Sequence, residues 1–177
     1  MKTGSGTQLV MILIYNEGVK MIVKDILIED FVNYKEPCMT IAFPYCTFKC
    51  EKECGVRCCQ NSALAQSPNK NVSYEYIINQ YINNPITKAI CYQGLEAFDS
   101  WTEMYELTRL IREKTKDTII IFTGYNEDEI KDKVLVLKQF PNIIIKYGRF
   151  LNDNTPIYNE LLGITLATSN QYAIKIS

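Results

Sequence analysis

Histidine is absent from all 177 residues. Its absence excludes histidine-dependent nucleophilic triads and metalloprotease sites built on paired histidines. Also missing are a CxxC knuckle, a Walker-type phosphate loop and a GxGxxG stretch after a strand. These are common signatures of zinc modules and nucleotide-binding enzymes. Neither charge sign is in excess: 19 basic side chains face 20 acidic ones, for a net charge of −1. Phosphate backbones call for a clear basic surplus, so no nucleic-acid partner is expected. Long apolar runs are lacking too. The longest near the start, residues 9–15, is seven residues long, far short of the roughly 20 that a membrane-spanning helix needs. It lacks a recognisable cleavage site, so the sequence predicts no secretory leader, no membrane partner and a cytoplasmic location. The carboxylates are scattered, with no paired spacing that would suggest a general acid–base hydrolase.

What the chain does have is cysteine. There are seven, five of them within fourteen positions of the stretch YCTFKCEKECGVRCCQNS at residues 45–62. A secreted disulfide scaffold spreads an even number of thiols to close long loops. An odd count with adjacent Cys58 and Cys59 does not fit that pattern. Thiols in a reducing cytosol, placed to bind metal, fit it better. The length suits one domain with a sizeable core, and 47% apolar with 22% charged residues is ordinary for a globular chain.

Residues 1–20 begin with a polar lead-in, MKTGSGTQ, and a second plausible start follows at Met21. Residues 1–20 are therefore set apart as an N-terminal extension, or an extra strand, of no assigned role, and residues 21–177 as a single domain. Residues 21–28 alternate loosely and predict an edge strand or hairpin arm. Residues 39–43 (MTIAF) lead into the cysteine loop. Residues 73–81 read as a helix with Ser73 as its N-cap. Residues 88–92 (KAICY) read as a buried strand. Ser100 and Glu103 have capping-box spacing before a helix whose apolar positions Trp101, Met104, Tyr105, Leu107 and Leu110 recur at helical intervals. Residues 118–123 (TIIIFT) are apolar on both faces, as in a parallel sheet covered on each side. Asn126 and Glu129 repeat the capping spacing and predict a helix to about Phe140. Residues 142–147 and 172–176 complete the strands.

Alternating strands and helices predict an α/β fold of βαβ units, with functional loops at the carboxyl ends of the strands. The cysteine loop follows MTIAF, Gln93-Gly94-Leu95-Glu96 follows KAICY, and Gly124-Tyr125-Asn126 follows TIIIFT. Three loops should therefore meet at one rim. Cys38 and Cys91 sit in or beside apolar strands and read as packing residues. Trp101 and the tyrosines read as bulk.

Clustered thiolates are soft ligands for zinc, copper(I) or iron–sulfur clusters. A zinc site from Cys50, Cys54, Cys58 and Cys59 is awkward because adjacent cysteines fit one tetrahedral ion poorly. The CxxxC pair Cys46-Thr47-Phe48-Lys49-Cys50 directly after a strand, and Cys59-Gln60-Asn61 at the loop's end, favour iron–sulfur. Here the chain resembles the radical S-adenosylmethionine (SAM) superfamily, in particular the activating proteins of anaerobic ribonucleoside-triphosphate reductase. Those carry CxxxCxxC after the first barrel strand, with x-Asn after the third cysteine. Downstream, Gly94-Leu95-Glu96-Ala97 stands where the family has a GGEP-type loop. Phe122-Thr123-Gly124-Tyr125 matches its TGY segment, and Ser169-Asn170-Gln171 precedes the last strand as SSNQ does. The resemblance spans residues 21–176.

The resemblance implies a partial parallel β/α barrel, a [4Fe-4S] cluster on three cysteines, and SAM on the iron they leave vacant. It implies an oxidoreductase that makes a glycyl radical on the large subunit of the anaerobic reductase through a 5′-deoxyadenosyl radical. An electron donor such as flavodoxin is implied as well. The implied metal ligands are Cys46, Cys50 and Cys59. Cys59 is preferred because Gln60-Asn61-Ser62 reproduces the family context, although the gap after Cys50 is then eight residues where the family has two. Cys54 is the runner-up, and Cys58 could substitute if the loop slips. Cofactor contacts are implied for Cys58, Cys59, Gln60, Asn61, Gly94, Glu96, Thr123 and Gly124, with Glu96 accepting from the methionine ammonium. Two other readings stay open: radical modification of another protein or peptide, and a diverged, non-catalytic metal-binding module.

Overall fold

The structure, a computed structural model, describes residues 18–153 and 155–177. Most of the N-terminal extension, residues 1–17, lies outside the described residues, and Lys20 already belongs to the first strand. In chain order the elements are β1 (Lys20–Val23), β2 (Asp25–Asp30), β3 (Cys38–Phe43), α1 (Lys49–Cys54), α2 (Ser62–Gln66), β4 (Lys70–Ser73), α3 (Tyr74–Ile82) and β5 (Ala89–Gly94). There follow a 3-10 turn (Ala97–Ser100), α4 (Trp101–Arg112), β6 (Thr118–Phe122), a second 3-10 turn (Glu127–Glu129), α5 (Lys131–Leu137), β7 (Ile143–Tyr147), β8 (Ile157–Asn159), β9 (Ile164–Leu166) and β10 (Tyr172–Lys175).

Six strands form one sheet in the order β10-β7-β6-β5-β3-β2. The central pairs β3–β5, β5–β6 and β6–β7 are parallel, as the βαβ spacing predicts. Both edges are antiparallel, β2 on β3 and β10 on β7. The sheet is thus mixed α/β rather than wholly parallel. The physical reason is connection length and content. Residues 31–37 are too short for a crossover, which takes a dozen residues or more. The chain leaving β7 forms the β8–β9 hairpin, not a helix, before it returns as β10.

Isoleucine runs in the central strands alternate between two apolar layers. One layer sets Ile90, Tyr92, Ile119, Ile121, Ile143 and Ile145 against Ile77 and Tyr81 of α3, Met104, Leu107 and Ile111 of α4, and Leu137 of α5. The smaller opposite layer holds Cys38, Ala89, Cys91, Ile120 and Ile144 beneath Tyr34, Leu162 and Leu166. Each fully buried isoleucine contributes about 1.5–3 kcal/mol. Cys38 and Cys91 are buried packing residues, as read from the sequence.

Several local readings change. The run at residues 21–28 divides at Lys24: β1 pairs with the polar strand β4, whereas β2 is the sheet edge. Lys24 is buried, and its ammonium donates to the carbonyls of Ala65 at 2.9 Å and Ser67 at 2.6 Å, holding the end of α2. Ser73 does cap α3, accepting from the Tyr76 amide at 3.1 Å. Ser100 makes no side-chain cap bond, because the helical path begins earlier, at the turn capped by Glu96. After Asn126 the expected single helix is a 3-10 turn and then α5, interrupted at Ile130, whose φ is −128°.

Candidate metal centre

The loops leaving β3, β5, β6 and β7 meet at one rim around a cavity of about 390 Å³, which residues 164–167 also line. Cys46, Cys50 and Cys59 are on its wall, with Gln60, Asn61, Gly94, Glu96, Thr123 and Gly124. Every residue that the sequence singled out as a preferred ligand or cofactor contact is therefore brought together here, except Cys58. Neither Cys58 nor the alternative ligand Cys54 is on the wall. Their sulfurs instead face each other at 2.7 Å. Residues 57–59 lie outside any helix, and there the adjacent Cys58 and Cys59 part, one to Cys54 and the other to the cavity.

Glu96 organises the rim. Its Oε1 accepts from the Thr123 hydroxyl at 2.8 Å and the Phe98 amide at 3.1 Å, and its Oε2 from the Gly124 amide at 2.8 Å. One carboxylate therefore joins the loops after β5 and β6. Burial pushes its pKa up to about 7 in spite of these three bonds, with Asp99 adding repulsion. Gly94 has φ +99°, and a Cβ there would lie 2.6 Å from Ala42 Cα and from the Phe43 nitrogen. The close approach that requires glycine is thus to the backbone of β3. At Gly124 a Cβ would meet Cys50 Sγ at 3.4 Å.

Other contacts position the thiols. Asp99 accepts from the Thr47 amide at 2.8 Å and from the Tyr125 hydroxyl at 2.5 Å, fixing the turn between Cys46 and Cys50. Lys49 pairs with Glu129 at 2.8 Å and lies 4.5 Å from the centre of the Tyr125 ring. Glu129 also takes Arg149 Nη2 at 2.7 Å, so α1 is tied to the loops after β6 and β7. The Cys59 amide donates to Glu51 Oε1 at 3.3 Å, and Asn61 Nδ2 to the Gly94 carbonyl at 2.6 Å. In the Ser169-Asn170-Gln171 segment, Asn170 donates to Arg149 O at 2.9 Å and Gln171 to Gly148 O at 3.3 Å.

Burial raises the Cys46 thiol to about 12, opposed by the Phe48 amide that points at its sulfur. Burial raises Cys50 as well, opposed by the Phe150 amide and by Arg149. A metal taking these thiols must displace their protons, so its binding would strengthen as pH rises. Two cations missed by the sequence reading stand here. Lys146, 6% exposed, lines the cavity and donates to Gly148 O at 3.1 Å. Burial lowers its pKa to about 8, while Glu96 and Cys50 pull it back up. Arg149 is 4% exposed. Its Nε lies 3.0 Å from Glu53 Oε1 without hydrogen-bond alignment, and its Nη1 has no hydrogen-bond partner among the described residues. The signal for Lys146 was legible: a lysine inside the apolar run NIIIKY is costly unless it has a use.

The family described as a 4Fe-4S single cluster domain matches residues 38–165, more than half of the chain and all five clustered cysteines. The chain belongs to that family. No curated protein and no solved structure matches it.

The site fits what a 4Fe-4S single cluster domain must hold. Among the described residues no three histidine, cysteine or acidic side chains converge closely enough for a single metal ion. Thiols set around a cavity suit a larger group that bridges them, and thiolate is the ligand such clusters take. Lys146, buried on the cavity wall, and Arg149, whose charge acts on Cys50, offer positive charge to an anionic cluster on thiolates. No helix among the described residues is long and apolar enough to cross a membrane.

Proposed function

We propose that this protein is a radical SAM activating enzyme, with Cys46, Cys50 and Cys59 holding a [4Fe-4S] cluster and S-adenosyl-L-methionine beside it. One observation carries the reading: three of the five clustered thiols line the cavity, and the other two pair off elsewhere. Three thiolates on four irons would leave one iron free of protein sulfur, the arrangement that the resemblance implies. The cluster and SAM, when bound, supply one-electron bond-cleavage chemistry of their own.

The chain's residues bind, orient and exclude water. Asp99, Glu129 and Asn61 position the segments that carry the thiols. Glu96 offers negative charge to the cofactor's ammonium, and Lys146 offers positive charge to its carboxylate. Gln60, Thr123 and Gly124 complete the wall. The open edges of the sheet are read as those of a partial barrel. The substrate is a glycine in the large subunit of anaerobic ribonucleotide reductase, with flavodoxin or a similar protein as electron donor. Support for a protein substrate comes from Phe31, 64% exposed, and Val32, 73% exposed, the latter on the cavity lining. Together they make an apolar lip where a peptide segment could enter.

The competing reading is a non-catalytic iron–sulfur module, favoured by the long gap between Cys50 and Cys59. Anaerobic reconstitution with iron and sulfide separates the two. The enzyme reading expects about four irons per chain, an electron paramagnetic resonance spectrum of the reduced protein that changes on adding SAM, and release of methionine. Adding the reductase should then produce a glycyl radical. A spectrum indifferent to SAM, with no methionine released, leaves only the module.

A further inference from the structure

The insertion that separates Cys50 from Cys59 contains a second thiol site. Cys54 ends α1, Gly55 turns the chain at φ +69° with its amide on the Glu51 carbonyl at 2.9 Å, and Cys58 is brought back beside Cys54. The two sulfurs are 2.7 Å apart, closer than unbonded sulfur atoms comfortably sit. Cys54 Sγ also lies 3.3 Å from the Val56 carbonyl. Both thiols are half-buried and neither lines the cavity, so a small reagent can reach them without entering it. A single soft metal ion held between two thiolates would hold the sulfurs well apart. A covalent S–S bond, about 2.05 Å long, lies a short movement away.

We propose that Cys54 and Cys58 are a redox-active thiol pair that closes reversibly to a disulfide by exchange with a low-molecular-weight disulfide. One thiolate attacks the small disulfide, breaking its S–S bond and releasing one thiol. The other thiolate then attacks the mixed disulfide and releases the second. One S–S bond forms and one breaks. Two electrons pass to the small disulfide, and the two protons lost by Cys54 and Cys58 end on the thiols released. Closure pins the segment between the second and third cavity thiols. It also withdraws the two sulfurs that could compete with Cys59 for iron, so the redox state of the pair governs which thiols iron can find during assembly. This site goes beyond the cofactor reading, since it needs neither SAM nor catalysis.

The test equilibrates cluster-loaded protein, without oxygen, across ratios of oxidised to reduced glutathione. Free thiols are then alkylated and the peptides weighed. The expected result is one two-electron step in which Cys54 and Cys58 become joined, lose two hydrogens and escape alkylation, while iron content holds constant. Returning to a reducing ratio should restore both thiols. Cys54→Ser and Cys58→Ser should each leave the remaining thiol carrying glutathione as a persistent adduct. Separate alkylation of both thiols at every ratio overturns the proposal. So does a link from either one to Cys46, Cys50 or Cys59, or a persistent glutathione adduct in the unsubstituted protein.

Discussion

The side-chain amide of Asn61 donates to the carbonyl oxygen of Gly94 at 2.6 Å. That bond joins the segment after Cys59 to the end of β5, across 33 residues of chain. It holds a cavity thiol in register with the sheet that supports it. Asn61→Ala removes the donor, and Asn61→Asp replaces it with an acceptor facing an acceptor. Each should cost about 0.5–1.5 kcal/mol in urea unfolding of the cluster-free protein. Each should also speed iron loss to a chelator. Unchanged values in both assays would show that the bond has no weight in the site.

The two glycines of the rim should respond differently to alanine. Gly94→Ala meets a positive φ and the backbone of β3. Strain alone costs about 1–3 kcal/mol, with steric overlap in addition, so its urea midpoint should fall sharply. Gly124→Ala meets only ordinary contacts, Cys50 Sγ at 3.4 Å and Glu96 Oε2 at 3.6 Å. It should fold with a near-normal midpoint but narrow the cavity beside Cys50, and so lower cofactor affinity.

Single alanine substitutions should divide the cysteines into two classes. Cys46→Ala, Cys50→Ala and Cys59→Ala should each lose the intact cluster, measured as iron and acid-labile sulfide per chain. Cys54→Ala should keep it. Loss in Cys54→Ala with retention in Cys59→Ala would exchange their roles.

Glu96 gives the cluster-free protein a pH dependence. Its folded pKa is about 7 against an unfolded 4.5, raised by burial. Between those values the folded chain binds more protons than the unfolded one, so stability falls as pH rises from about 4.5 to about 7. The upper bound is roughly 3 kcal/mol, from about 1.4 kcal/mol per pKa unit. Glu96→Gln should flatten that part of the curve, read as unfolding midpoint against pH. An identical slope in both proteins would assign the dependence to other groups.

Lys146 should separate stability from binding. Burial opposes its charge, so Lys146→Met, which places an apolar chain of similar length in a buried position, should hold or raise the unfolding midpoint. On the proposed function, in which Lys146 meets the cofactor's carboxylate, losing that charge-assisted bond should weaken SAM binding about tenfold or more. Calorimetric titration of the reconstituted protein reads the affinity directly. A lower midpoint with unchanged affinity would make Lys146 a structural residue.

Sequence alone determined the elements whose signals are local. Isoleucine runs specify strands apolar on both faces, because β-branched side chains favour pleated backbone. Gly94 ends β5 and Thr123 and Gly124 follow β6, which puts them at the same rim as the cysteine loop. The absence of histidine and the crowding of thiols restricted the chemistry before any contact was known. Ser73 was legible as a cap for the same reason, since its bond spans only three residues. Tertiary structure decided whatever depends on partners distant in sequence. Lys24 breaks an apparent strand because the end of α2 lies within its reach, and the edge strands run antiparallel because no helix carries the chain across. Above all, a sequence with five clustered cysteines does not say which sulfurs share a wall. Adjacent side chains diverge, and Cys58 turns to Cys54 while Cys59 turns to the cavity, because Gly55 reverses the chain and Glu51 and Asn61 fasten the segment beyond it.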